Sequence, residues 1–224
     1  MSLKFRIAGL TLVVALAMSA IAVVNASATS TGHFIIHAET ENGWVTGFEG
    51  GTHFTEFTSH GLEGGTVCDE GSFKGTTAKT STHIDISPAY NRCHTTGAAA
   101  GTTVVDVNGC SYTFTPGHLG TMHVDCSAGK GIEITHPNCT IRITPQTPHG
   151  GVIYTSATEG GKTIITVDLN TIEFTTEYEA GICIFTGTNH TATLHGSITI
   201  KGYNDIAPIP PQEGAQVDIT HTAT

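Results

Sequence analysis

Beyond residue 28, no segment of this chain places apolar residues at the i, i+3, i+4, i+7 spacing of an amphipathic helix over a helical length. Basic residues are also scarce. Lys and Arg total 9 against 19 Asp and Glu, and nothing resembles a basic stripe. That excludes nucleic acid as a partner and docking on anionic lipid. No cysteine precedes Cys68, which excludes lipid attachment at a processed N-terminal Cys. There is one Trp, no C-x2-C pair, no His-x-His, no HExxH, no Gly-x-Ser-x-Gly and no D-x-D-x-D-G loop. The usual one-segment signatures of structural zinc, zinc hydrolysis, a nucleophile elbow and an EF-hand are therefore all missing, and no cofactor is expected.

What is present begins with a leader. Lys4 and Arg6 precede an apolar run from Ile7 to Val24, and Ala26-Ser27-Ala28 supplies the small residues at which signal peptidase cuts. The run exceeds the ~7–15 residues of an ordinary signal core, so an uncleaved anchor is the competing reading. Gly9, Thr11 and Ser19 dilute it and favour cleavage. Residues 1–28 are expected to be a signal peptide, and the product secreted or held in the cell envelope. Once Lys4 and Arg6 leave, seven basic residues face nineteen acidic ones, a charge of −12.

The remainder reads as all-β, an antiparallel sandwich or barrel. Thr, Ile, Val, Phe and Tyr come in short runs separated by Gly-Gly, Asn-Gly and Pro. One disulfide-bonded domain is expected over 29–203. The Pro-containing tail, 204–224, is expected to fray or to add one edge strand at Val217 and Ile219. All six cysteines, Cys68, Cys93, Cys110, Cys126, Cys139 and Cys183, lie in the exported part, so disulfides are the default. Six cysteines allow ~15 pairings. Folding the segment back at Pro116-Gly117 sets Cys110 opposite Cys126 and Phe114 opposite Met122, which predicts the pair Cys110–Cys126. Cys68–Cys93 and Cys139–Cys183 are then the simplest remainder. Glu159-Gly160-Gly161-Lys162 predicts a type I′ hairpin, Glu159 facing Lys162 as an ion pair and Tyr154 opposite Val167. Leu194, Ile198 and Ile200 are placed on one buried side.

The order VCDEGSFKGTT, YNRC, NGCSYTF, a lone Cys, CTIRITPQ and SITIKGY, closing on Gly202-Tyr203-Asn204-Asp205, resembles a set of exported bacterial proteins of unknown function with similarly spaced cysteines. The resemblance covers Val67 to Asp205. Its motifs are cysteines, turns and strand ends, so it implies export and a β-rich disulfide fold and no catalytic residue.

Histidine is the compositional oddity, with 13 in the chain. His118 and His123 flank the loop of the central hairpin, and His83–Asp85 and His123–Asp125 share faces at i, i+2. With no ligand pair on one strand face, most imidazoles are expected on wet faces rather than at a metal. Protonating all 13 would carry −12 to +1, which raises a pH-responsive surface as one possibility beside simple polar replacement. Ser127-Ala128-Gly129-Lys130 matches a penicillin-binding motif but lies in a Gly-rich turn without a helix. Glu173, Glu177 and Glu179 read as an acidic sheet face rather than a glycosidase pair. Trp44 and Tyr90 are the aromatic candidates for a sugar platform, with core filling as the bland alternative. The reading favoured is a non-enzymatic extracellular or cell-envelope binding or structural module, a glycan among its possible ligands. The alternative is a secreted hydrolase whose site is assembled from dispersed His, Asp and Glu.

Overall fold

The computed structural model describes residues 32–48, 55–59, 65–96, 101–137, 139–181, 191–204 and 215–223. Within them the β-branched runs form strands and no helix. In chain order these are β1 (His33–Ile36), β2 (Asn42–Phe48), β3 (Thr55–Ser59), β4 (Gly65–Ala78), β5 (Thr80–Ser81) and β6 (Ile84–Thr95). Next come β7 (Gly101–Thr102), β8 (Val104–Asp106), β9 (Ser111–Thr115), β10 (Thr121–Asp125), β11 (Ile132–His136) and β12 (Cys139–Ile143). The last are β13 (His149–Glu159), β14 (Lys162–Gly181), β15 (Thr191–Asn204), β16 (Gln216–Val217) and β17 (Ile219–Thr222). The sequence also predicts a strand over Ile182–Thr186, which lies outside the described residues.

The antiparallel sheet curls until its ends meet. One run goes β10–β9–β6–β4–β2–β15–β14, with β13 also paired to β14. Gly120 and Val152 exchange two backbone hydrogen bonds of 2.9 Å, and Val124 and Gln146 exchange another pair, so β10 meets the β13 segment and the ring closes. A second ring shares four of its strands. It runs β14–β12–β11–β8, crosses to β6 through β7 and the Thr103 N–H on Cys93 O (3.1 Å), and returns by β4, β3 and β15. The shared strands β4, β6, β14 and β15 are 14, 12, 20 and 14 residues long, enough to run through both rings.

At the waist between the rings the strands lose their alternation. Asp69 and Glu70 are both exposed, as are Asn91 and Arg92 on the facing strand. Arg92 takes φ 50° and Thr171 φ 55°. The β14 register slips between Leu169 and Ile172 against β15. Such bulges re-aim a strand, and here they let one strand serve two rings.

Inward-facing residues fill the interior: Phe73, Ile84, Ile86, Tyr112, Phe114, Met122, Val124, Ile134, Ile143 and Phe174 are all buried. A small sheet, β17–β1–β5, packs on the inner face of the first ring. Ile36 sits on Gly43, where an added Cβ would lie 2.4 Å from its Cδ1. Phe34 meets Tyr154 edge-on at 5.4 Å.

The predicted central hairpin holds, with Met122 opposite Phe114 and Val124 opposite Tyr112. Cys110–Cys126 and Cys68–Cys93 are both disulfides. Cys139 is disulfide-bonded as well, and its expected partner Cys183 lies outside the described residues. The Gly160-Gly161 hairpin has φ of 59° and 77°, with Tyr154 opposite Val167. Glu159 faces Lys162 in register, and its carboxylate reaches Lys201 of β15 at 2.6 Å. Leu194, Ile198 and Ile200 are buried together.

Three expectations change. Turn spacing predicts separate strands over Thr66–Cys68 and Ser72–Thr76, and they are one strand, continuous through the waist bulge. Pro88-Ala89-Tyr90 reads as a loop from its proline, yet it lies inside β6, with Pro88 on an inward, buried position. Finally, the segment expected to fray supplies β16 and β17, with Val217 and Ile219 buried in the core. Ile219 pairs with Ile36, and that apolar burial outweighs the cost of ordering a short strand.

Replacing Cys110 and Cys126 together by Ala should lower stability by about 2–4 kcal/mol, because the loop they close regains its unfolded-state entropy. Urea unfolding at neutral pH measures it. A change under about 0.5 kcal/mol would show that the hairpin register alone holds this region.

Candidate functional site

The outer face of the first ring gathers polar and aromatic side chains into a line. Tyr203, Trp44, Thr76, Asp85, Thr113 and His123 are successive cross-strand partners on β15, β2, β4, β6, β9 and β10. At ~4.8 Å per strand, Trp44 and His123 stand ~19 Å apart. Their order follows from period 2: each is one position off a buried residue, beside Val45, Ile84, Ile86 and Val124. Trp44 is half-buried, and Tyr203 is buried between its cross-strand partners Trp44 and Gln216.

Hydrogen bonds hold the polar part of the row. Thr113 Oγ1 donates to Asp85 Oδ1 at 2.5 Å, and His83 Nε2 lies 3.7 Å from Asp85 Oδ2. His123 Nδ1 is 2.8 Å from Thr147 Oγ1. Asp85 is thus an anchored carboxylate with one oxygen on a threonine and the other beside an exposed imidazole.

The four residues singled out from sequence separate. Trp44 and His123 share the row. Tyr90 points to the opposite, inner face, where its hydroxyl meets that of Tyr112 at 2.9 Å and its ring meets Phe73 edge-on at 5.9 Å. Trp44 and Tyr90 therefore do not form one platform. His118 is exposed in the turn after β9, next to Leu119, and no hydrogen bond joins it to His123 among the described residues.

The waist is the second concentration of chemistry. Thr171 N–H donates to His195 Nδ1 at 3.4 Å, which leaves Nε2 of a neutral ring carrying its proton. His149 is the cross-strand partner of Glu173, and Glu173 that of Thr193. Gly150 takes φ 127°, and a Cβ there would lie 2.7 Å from the carbonyl of Thr171. On the far side Arg92 pairs with Glu70 at 3.0 Å and His94 approaches Asp69 at 4.0 Å. Glu177 faces Arg142, while the side chain of Glu179 lies outside the described residues. Lys130 sits in an exposed turn, so the Ser-x-x-Lys match has no helix to organise it.

His136 ends β11 facing inward at the mouth of the second ring. Its Nε2 lies 3.4 Å from Thr66 Oγ1 and its Nδ1 3.3 Å from Thr103 Oγ1, and both threonines are buried. Burial holds this imidazole below its ordinary pKa. Sequence reasoning passed over His136, Tyr203 and the Thr171–His195 contact. The apolar parity change from Val167 and Leu169 to Ile172 and Phe174 was the available sign of the waist bulge.

Among the described residues no three His, Cys, Asp or Glu converge as a metal site, and none of the ten described histidines is buried. No family model matches this chain, and neither a curated protein nor a solved structure matches it.

Thr171 is β-branched in a left-handed conformation that disfavours L side chains by ~1–2 kcal/mol. Thr171→Gly should therefore raise stability by about 1 kcal/mol, whereas Thr166→Gly, in regular strand, should lower it by a similar amount. Chemical denaturation of the two variants side by side checks this, and equal losses would show that the bulge carries no strain.

Proposed function

We propose that this chain is an exported, non-enzymatic binding module whose ligand face is the outer row around Trp44, Asp85 and His123, with a cell-envelope or extracellular glycan as ligand. The observation that carries this reading is the row itself. A half-exposed indole offers a flat apolar surface for a sugar ring, and the anchored carboxylate, hydroxyls and imidazole beside it offer donors and acceptors to sugar hydroxyls. A closed sheet holds them without a mobile element, so binding would order few side chains. Export belongs to the same reading. The Cys68–Cys93 and Cys110–Cys126 disulfides fit an oxidising environment, and no described helix is long and apolar enough to cross a membrane.

A second reading, a secreted hydrolase, draws on the waist, where a strained backbone, two imidazoles and Glu173 occupy adjacent strands. It requires turnover that disappears on changing His195 or Glu173.

Retention on insoluble envelope polysaccharides, measured by co-sedimentation, should fall at least tenfold for Trp44→Ala. Tyr90→Phe should bind like the parent, because Tyr90 faces inward. Retention that is absent in the parent, or unchanged by Trp44→Ala, rejects the row as the ligand face. Glycan release into the supernatant would favour the hydrolase.

A further inference from the structure

Besides its ladder with β1 and the buried Ile219, strand β17 meets the first ring through one imidazole. His221 lies opposite Phe34 in the β17–β1 pairing. Its ring packs on Tyr154 of β13, with centroids 5.5 Å apart at a 45° tilt. Phe34 meets the same Tyr154 ring at 5.4 Å, and the Tyr154 hydroxyl donates to Thr115 O at 3.0 Å. Three rings thus tie β17, β1, β13 and β9 together. His221 Nδ1 is buried and has no hydrogen-bond partner among the described residues. A neutral ring tolerates this by keeping its proton on Nε2. An imidazolium would have to present an N–H at Nδ1, buried with nothing among the described residues to accept it.

We infer that β17 is an acid-released latch: protonation of His221 detaches it from Tyr154 and loosens the β17–β1–β5 sheet from the inner face of the ring. The neighbouring titratable groups do not offset this. On β1, His33 stands at the Thr222 position and His37 follows the strand, and neither offers an acceptor carboxylate. On β13 the Tyr154 phenol, its pKa raised by burial, stays neutral. Glu159 at the end of β13 is engaged by Lys201. On β14 the groups are Lys162 and the Thr163 N–H, which donates to Asp218 Oδ1 at 2.6 Å. Lys79 precedes β5 and brings another positive charge. Asp218 is the carboxylate nearest in sequence, and it is occupied by Thr163. That backbone hydrogen bond holds its pKa below the ordinary value, so it stays ionised while His221 titrates.

Burial lowers the pKa of His221 in the folded chain. Stability from the neutral contact is therefore fully present above the unfolded value of ~6.5 and is lost as pH falls through the lower folded value. The latch opens on the acid side of neutrality, before the Asp218 contact fails.

Hydrogen exchange of the full chain between pH 7.5 and 5.0, corrected for intrinsic rates, tests this. Peptides covering 216–222 and 33–36 should exchange at least tenfold faster at pH 5.0, while the β13–β14 hairpin stays protected. His221→Phe keeps the ring and removes the titration, so its β17 protection should be the same at both pH values. Unchanged protection of β17 in the parent overturns the inference, and so does acid loss that persists in His221→Phe. A direct NMR titration of His221 in the parent decides the case if that variant does not fold: a midpoint at or above ~6.5 overturns it.

Discussion

Everything in this fold depends on the sheet having no free end. A sheet of this length would present two rows of unpaired N–H and C=O groups, each a template for association with another chain. The four hydrogen bonds between Gly120 and Val152 and between Val124 and Gln146 close the first ring. They also fix the curvature that gives the sheet an inside, and with it the core of Phe73, Tyr112, Phe114 and Phe174. The second ring follows from the first, since four of its strands are continuations. Thr103 on Cys93 then completes the return.

Local order was open to reading and closure was not. Period 2 in Tyr112–Phe114 and Met122–Val124 is enough to set the hairpin and its disulfide, and Gly160-Gly161 is enough for a tight turn. The ring contacts are different in kind. Gly120–Val152 and Thr103–Cys93 join backbone atoms, and backbone hydrogen bonds leave no mark on side-chain identity. Tyr90 shows the limit of reading residues as punctuation. Pro88 beside it suggests a loop, yet period 2 through Ile84 and Ile86 continues through Pro88 to Tyr90 and places the phenol inside. In the tail, the edge strand at Val217 and Ile219 was the half of the reading that the same punctuation obscured. Three prolines in 208–211 mark an interruption, and Val217 and Ile219 resume the pattern after it.

The functional residues were legible by type and illegible by arrangement. Trp44 stood out as the only indole, and its row with Asp85 and His123 exists only because five strands lie between Trp44 and His123 inclusive in a fixed register. The histidine count pointed toward metal or pH. The structure distributes the ten described rings over strand faces and turns, sets His136 between two buried threonines at the mouth of the second ring, and buries Nδ1 of His221 on the underside of β17. One composition therefore covers at least three physical situations: an imidazole hydrogen-bonded to hydroxyls, one pressed on an aromatic ring, and one beside a carboxylate in water.

The four strands that run through both rings have a mechanical meaning. A fold made of two separate barrels could lose one and keep the other. Here, melting the second ring strips partners from the upper halves of β4, β6, β14 and β15, whose lower halves are the staves of the first. The two rings share their failure. A load drawn along those staves is carried by many ladder hydrogen bonds at once, in shear, rather than one after another as in an unzipping hairpin. Stiffness in this fold therefore belongs to the shared staves and not to either ring alone.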